Sequence, residues 1–168
     1  LRVAKGLGQA VYIYGATGYG KTELVRQYLS RRRYHYISCA EDAAGLMETA
    51  ETAQEAASHS SGKEKEAQPR TVMVVDDMHL LKNAEGRKAV LSLAGRQDVW
   101  FILICRSPIP AWLMPLYIKG GFLVITEDDL RLGEKEISAY MDSQGLTATE
   151  EEVAFVAVRS QGNAYTVR

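Results

Sequence analysis

The chain has 168 residues, 20 of them basic and 21 acidic, for a formal net charge of −1. That length suits one domain with a sizeable core, and the balanced charge argues against a strongly nucleic-acid-binding or membrane-bound surface. The longest apolar run, Val99 to Cys105, is far too short to span a bilayer, so no membrane partner is expected.

In chain order, the amino terminus lacks a basic region followed by a long apolar stretch, so no secretory leader is read there. The first strand is Val11 to Tyr14, and it runs into Gly15-Ala16-Thr17-Gly18-Tyr19-Gly20-Lys21-Thr22, a complete G-x-x-x-x-G-K-[ST] loop. A helix-compatible stretch, Glu23 to Ser30, follows. Strand, loop and helix in that order are the context in which this motif binds phosphate. Glycines at 15, 18 and 20 let the backbone bend until successive N–H groups converge on phosphate oxygens, and the helix N-terminus adds partial positive charge. Lys21 is placed to reach the β- and γ-phosphates, and the Thr22 hydroxyl to ligate Mg²⁺. The expected ligand is therefore a nucleoside triphosphate. Arg31, Arg32 and Arg33 come next, and are read as solvated cations complementing the helix dipole in preference to a nucleic-acid patch.

The second strand is Tyr34 to Ser38. Ala43, Leu46, Met47, Ala50, Ala53 and Ala57 keep helical spacing, and residues 58–69 (SHSSGKEKEAQP) read as a mobile polar loop. The third strand, Thr71 to Val75, ends in Asp76 and Asp77, the Walker B form. Asp76 sits where a hydrated Mg²⁺ needs a hard anionic partner. Asp77 falls where many P-loop ATPases place the residue that orients the attacking water, one methylene short of the more usual Glu, so slow hydrolysis is expected. His79 follows, and reads equally as a hydrogen-bonding neighbour of the metal water or as an ordinary loop histidine.

Asn83 is read as the cap of a helix that presents Val90, Leu93 and Ala94 to the sheet and ends at Gly95. The fourth strand, Val99 to Cys105, is terminated by Arg106. In P-loop folds with an added central strand, that strand lies between the phosphate-loop and Walker B strands. Arg106 would then face the γ-phosphate at the carboxyl edge of the sheet, where a guanidinium can distinguish triphosphate from diphosphate.

After the fifth strand, Phe122 to Ile125, the pattern turns helical. Gly133 opens a helix with Ile137, Tyr140 and Met141 on one face, closed by Gly145, and Thr149 with Glu152 forms a capping box ahead of Val153, Val156 and Ala157. Five apolar runs alternating with helical patterns predict an α/β fold, a three-layer P-loop NTPase with a five-stranded parallel sheet. The expected division is a nucleotide-binding domain over residues 1–132 and the start of a helical subdomain over 133–168. From a start without Met and an end within a helical pattern, a fragment of something longer is expected. Cys39 and Cys105 read as buried, reduced thiols of a cytoplasmic protein. His35, His59 and His79 have no zinc-like spacing.

The order of these motifs resembles the MalT-like group of STAND ATPases, the nucleotide-switch modules of large LuxR-type bacterial transcription regulators. The likeness is carried by Gly15 to Thr22, by Val74-Val75-Asp76-Asp77-Met78-His79-Leu80-Leu81, by Phe101 to Pro110, and by Ile125 to Ile137 at the passage into the helical part. Ser160-Gln161-Gly162-Asn163-Ala164 stands where that family usually has a Gly-Trp-Pro-like turn, with Asn163 and Ala164 in place of the aromatic and the proline. The resemblance implies a regulatory switch that holds ADP at rest, exchanges it for ATP on receipt of an inducer, and then self-associates. It also implies that the sensor and the DNA-binding helix-turn-helix lie elsewhere in the full-length protein.

The main rival is an AAA+-like motor or loader ATPase, which would turn over quickly in a ring. A small-molecule kinase would need an Arg-rich lid and an acceptor pocket. A GTPase is disfavoured because no Asn-Lys-x-Asp element occurs. A catalytically dead nucleotide-binding scaffold would differ from the switch only in turnover.

Overall fold

Five strands form where the apolar runs predict them: β1 (Ala10–Tyr14), β2 (Tyr34–Ser38), β3 (Thr71–Asp76), β4 (Val99–Cys105) and β5 (Phe122–Ile125). The computed structural model describes residues 10–41, 45, 46, 48, 49, 71–96, 99–119 and 122–167. The loop expected at 58–69 and most of the helix expected across 43–57 lie outside the described residues. Of that helical stripe, Leu46 is described and is fully buried.

The strands are all parallel, in the order β2-β3-β4-β1-β5. The added strand β4 does lie between β1 and β3, as expected for this class of fold. All seven residues of β4 are buried, which accounts for its unbroken apolar sequence, since both faces of the sheet are covered. On one face Tyr12, Met73, Val75, Phe101, Leu103 and Cys105 pack against Ala89, Val90 and Leu93 of helix α2 (Ala84–Ala94). On the other, Val11, Ile13, Val72, Val74, Ile102 and Ile104 meet Val25 of helix α1 (Lys21–Tyr28) and Leu29 just beyond it. Alternate residues of each strand therefore serve opposite layers. Each fully buried side chain contributes roughly 1.5–3 kcal/mol.

Helix ends follow local chemistry. Asn83 Oδ1 accepts from the Gly86 N–H at 3.2 Å and starts α2, and Gly95 caps its end. Helix α1 spans Lys21 to Tyr28 where the sequence suggested 23 to 30, because Gly20, in the left-handed region at φ 72°, already turns the chain into it. Arg31, Arg32 and Arg33 lie beyond the helix end as exposed residues.

Short helix α3 (Met114–Ile118) precedes β5, and α4 (Glu127–Leu130) follows it. The tail holds α5 (Glu134–Ser143), α6 (Glu150–Ser160) and α7 (Ala164–Val167). The expected capping box forms: Thr149 Oγ1 accepts from the Glu152 N–H at 3.3 Å, and Glu152 Oε2 accepts from the Thr149 N–H at 2.8 Å. Ile137, Val153 and Ser160 are buried in these helices of the tail.

Candidate nucleotide site

A parallel sheet delivers every strand's carboxyl end to one edge. Here register aligns Tyr14 with Cys105 and Ser38 with Asp76. Gly15, Asp76, Asp77 and Arg106 therefore emerge side by side. A cavity of about 610 Å³ opens there, lined by Thr17, Gly18, Gly20, Lys21 and Thr22 of the loop together with Asp76, Asp77 and Arg106. Glu23, Arg26, Ala164 and Tyr165 also line it, with Ile104 and Cys105 at the end of β4.

Within the loop, Gly18 at φ 94° adopts a backbone conformation that L side chains rarely take. Lys21 is buried, and its Nζ donates to the carbonyls of Gly15 at 2.8 Å and Ala16 at 2.7 Å. The sequence reading gave Lys21 the β- and γ-phosphates as its partners. The structure makes it a strut of the loop as well, because a buried ammonium requires acceptors. Burial pushes its pKa down against the pull of Asp76, and Arg106 adds to the lowering.

Gly15, Ala16 and Tyr19 belong to the loop without lining the cavity. The Ala16 N–H donates to Glu127 Oε2 at 2.7 Å. Tyr19 turns inward, where burial and the same carboxylate raise its phenol above the ordinary value. Glu127 is aimed by the start of α4, where Asp129 Oδ2 accepts from the Thr126 N–H at 2.8 Å.

Across the cavity, Thr22 Oγ1 donates to Asp76 Oδ2 at 2.7 Å. Tyr36 OH donates to the same oxygen at 2.8 Å, and the Asp77 N–H donates to Asp76 Oδ1 at 2.7 Å. Asp77 has φ 54°, a left-handed conformation that Asp tolerates better than most residues. Its carboxylate lies 3.9 Å from Arg106 Nη2 and 4.0 Å from His79 Nδ1, and accepts from Ser38 Oγ at 3.3 Å. His79 Nδ1 is buried and has no hydrogen-bond partner among the described residues. The Tyr12 hydroxyl pins the chain just past Arg106, donating to the Ser107 carbonyl at 3.0 Å.

The donor set suits a hard divalent cation, since Thr22 and Asp76 supply only oxygen. Among the described residues no group of three or more His, Cys, Asp or Glu side chains forms a metal cage. A cation held here would keep much of its sphere in water and phosphate oxygen, the habit of Mg²⁺.

The helical tail reaches the same loop. Asn163 Nδ2 donates to the Thr17 carbonyl at 3.0 Å, and the Tyr165 N–H donates to the Gly18 carbonyl at 3.0 Å. The left-handed pair Gln161 and Gly162 makes the turn that brings Asn163 there, and the Gly162 carbonyl accepts from the Leu132 N–H at 2.9 Å. Sequence reasoning missed Tyr36, Ser38, Glu127 and Tyr165; only Glu127 sits in a segment the sequence had singled out for the resemblance, Ile125 to Ile137, and there it had no assigned role. For Asn163 one signal existed, its position at the turn that departs from the Gly-Trp-Pro pattern.

No protein-family model matches the chain, and no curated protein matches it. Among solved structures it is similar to a Signal Transduction ATPase with Numerous Domains (STAND) protein with a tetratricopeptide repeat sensor from Pyrococcus horikoshii, with TM-score 0.60 and 16% identity over 95% of this chain. It is also similar to a Walker-type ATPase of Pyrococcus abyssi, with TM-score 0.59 and 13% identity over 95% of this chain. The chain spans 26% of the first protein and 61% of the second. At such identities what is shared is the fold, an α/β P-loop ATPase fold with a five-stranded parallel sheet. Among the described residues no helix is long and apolar enough to cross a membrane.

Proposed function

We propose that the chain is an ATP-binding, slowly hydrolysing nucleotide-switch domain of a bacterial LuxR-type transcriptional regulator acting in the cytoplasm. The observation that carries the nucleotide reading is the convergence of the phosphate loop, the Thr22–Asp76 pair, Asp77 and Arg106 on one cavity. Backbone N–H groups at the start of α1 meet phosphate oxygens, and Lys21 neutralises β- and γ-phosphate charge. Thr22 and Asp76 would hold Mg²⁺, which when bound supplies further neutralisation of those oxygens. Asp77 orients water, and Arg106 reads the γ-phosphate.

Support for a switch comes from the tail. Asn163 and Tyr165 hydrogen-bond to carbonyls of the phosphate loop, so a loop that moves with its ligand moves the tail too. Residues 1–132 act as the nucleotide domain, and 133–168 begin the helical subdomain that responds. The regulator assignment rests on the motif resemblance to the MalT-like group. DNA binding belongs to a domain outside this sequence, and self-association to the full-length protein in its ATP-bound form.

The deciding experiment is chromatography of the nucleotide released on denaturing freshly purified protein, with a steady-state ATPase assay beside it. Tightly held ADP with slow turnover is expected. Nucleotide-free protein whose fast turnover rises with oligomer concentration would overturn the switch in favour of an AAA+-like motor.

A further inference from the structure

Asp76 carries more hydrogen bonds than a Walker B carboxylate needs to meet a hydrated cation. Oδ2 accepts from both Thr22 Oγ1 (2.7 Å) and Tyr36 OH (2.8 Å), and Oδ1 from the Asp77 N–H (2.7 Å). Tyr36 stands on β2, one strand over from Asp76, and the residue is 39% exposed. Burial alone therefore does not hold it in place. Two contacts do: its hydroxyl on Asp76, and the Arg26 guanidinium 5.8 Å from its ring centroid, a cation–π distance.

We propose that Tyr36 is a positioning residue for the divalent-cation site, fixing the Asp76 carboxylate so that the Thr22–Asp76 pair faces the cation that accompanies the nucleotide. The inference rests on the nucleotide reading above. Its chemistry follows from how the two hydroxyls share one oxygen. Thr22 has a single proton, and by giving it to Asp76 it leaves its own lone pairs free for a cation. That arrangement holds only while Oδ2 points at Thr22. A carboxylate with one anchored oxygen can swing about its terminal torsion, which is broad. With the Asp77 N–H on Oδ1 and the Tyr36 hydroxyl joining that of Thr22 on Oδ2, both oxygens are fixed. Partners of this outer kind orient ligands and tune metal affinity without touching the metal.

Tyr36→Phe tests this, because it removes the hydroxyl and keeps the ring under Arg26. Binding of a fluorescent ATP analogue is titrated against Mg²⁺ and repeated with chelator, for wild type and variant, with thermal melts alongside. In the variant, the Mg²⁺ concentration for half-maximal enhancement of binding is expected to rise about 10- to 100-fold, while chelated affinity and melting temperature stay as in wild type. An unchanged Mg²⁺ dependence overturns the inference. So does an equal loss with and without Mg²⁺, which would make Tyr36 a nucleotide contact or a structural residue. A wild-type protein that binds no nucleotide under either condition fells the nucleotide reading itself, and this inference with it. If wild type binds and only the Mg²⁺ dependence fails to move, the nucleotide reading survives.

Discussion

Arg106→Ala tests the proposed reading of the γ-phosphate by this residue. The side chain is 54% exposed and its contact with Asp77 is 3.9 Å long, a pairing worth about 0–1 kcal/mol to the fold. The variant should therefore stay folded. A guanidinium meeting an anionic phosphate makes charge-assisted hydrogen bonds of about 1.5–3 kcal/mol. Half-exposure to water reduces the expected loss to about 1–2 kcal/mol, or roughly five- to thirtyfold in ATP affinity. ADP lacks the group being read and should bind nearly as before. Isothermal titration of ATP and ADP against both proteins measures the difference directly. Asp77→Asn is the companion: assigned to water, it should slow hydrolysis with both affinities almost unchanged. Equal losses for ATP and ADP in the Arg106 variant would refute the reasoning, since the residue would then be structural and the γ-phosphate would need another reader.

Three further outcomes are expected. Lys21→Ala should weaken ATP binding by about 1.5–3 kcal/mol and also loosen the loop, because Nζ bonds the Gly15 and Ala16 carbonyls; calorimetry and hydrogen exchange across residues 15–20 would show both effects. Asn163→Ala removes the bond to Thr17 and the cap that accepts from the N–H groups of Tyr165 and Thr166. A lost cap of about 0.5–2 kcal/mol predicts exchange of the Tyr165 amide roughly 2- to 30-fold faster, and an unchanged rate would show that Asn163 does not hold the tail to the loop. Burial, then the charges of Asp77 and Asp76, push the Cys39 thiol up to about 11 from 9.0. Native protein at neutral pH should thus resist alkylation at Cys39 while denatured protein reacts. Since the folded thiol holds its proton more tightly, its contribution to stability is complete below pH 9 and lost as pH rises toward 11, which melts across that range would follow.

The strands, their parallel sense and the glycine-rich turn between β1 and α1 could be read from the sequence because each is a local pattern. β4 is apolar at every position since both faces are covered, and that run announces itself whatever its neighbours. The loop needs Gly18 and Gly20 at positive φ within a few residues of Lys21, so its chemistry is contiguous. The Walker B pair reads the same way, as the end of a strand.

Strand order is different in kind. A strand buried on both faces has no alternation to say which strand lies beside it. The position of β4 between β1 and β3 came from analogy with other P-loop folds, and hydrogen-bond registers established it. The side-chain contacts that finish the site bridge still longer gaps: Tyr36 to Asp76 across 40 residues, Ala16 to Glu127 across 111, Asn163 to Thr17 across 146. A tyrosine in a β-rich run or an asparagine in a turn looks ordinary alone. Each acquires its role only when the sheet's parallel register and the tail's turn bring its polar atom within 3 Å of a partner. Which side chains can bend and bind was therefore settled by local chemistry. Which of them meet was settled by packing, because directional hydrogen bonds between distant residues leave no periodic trace in the chain.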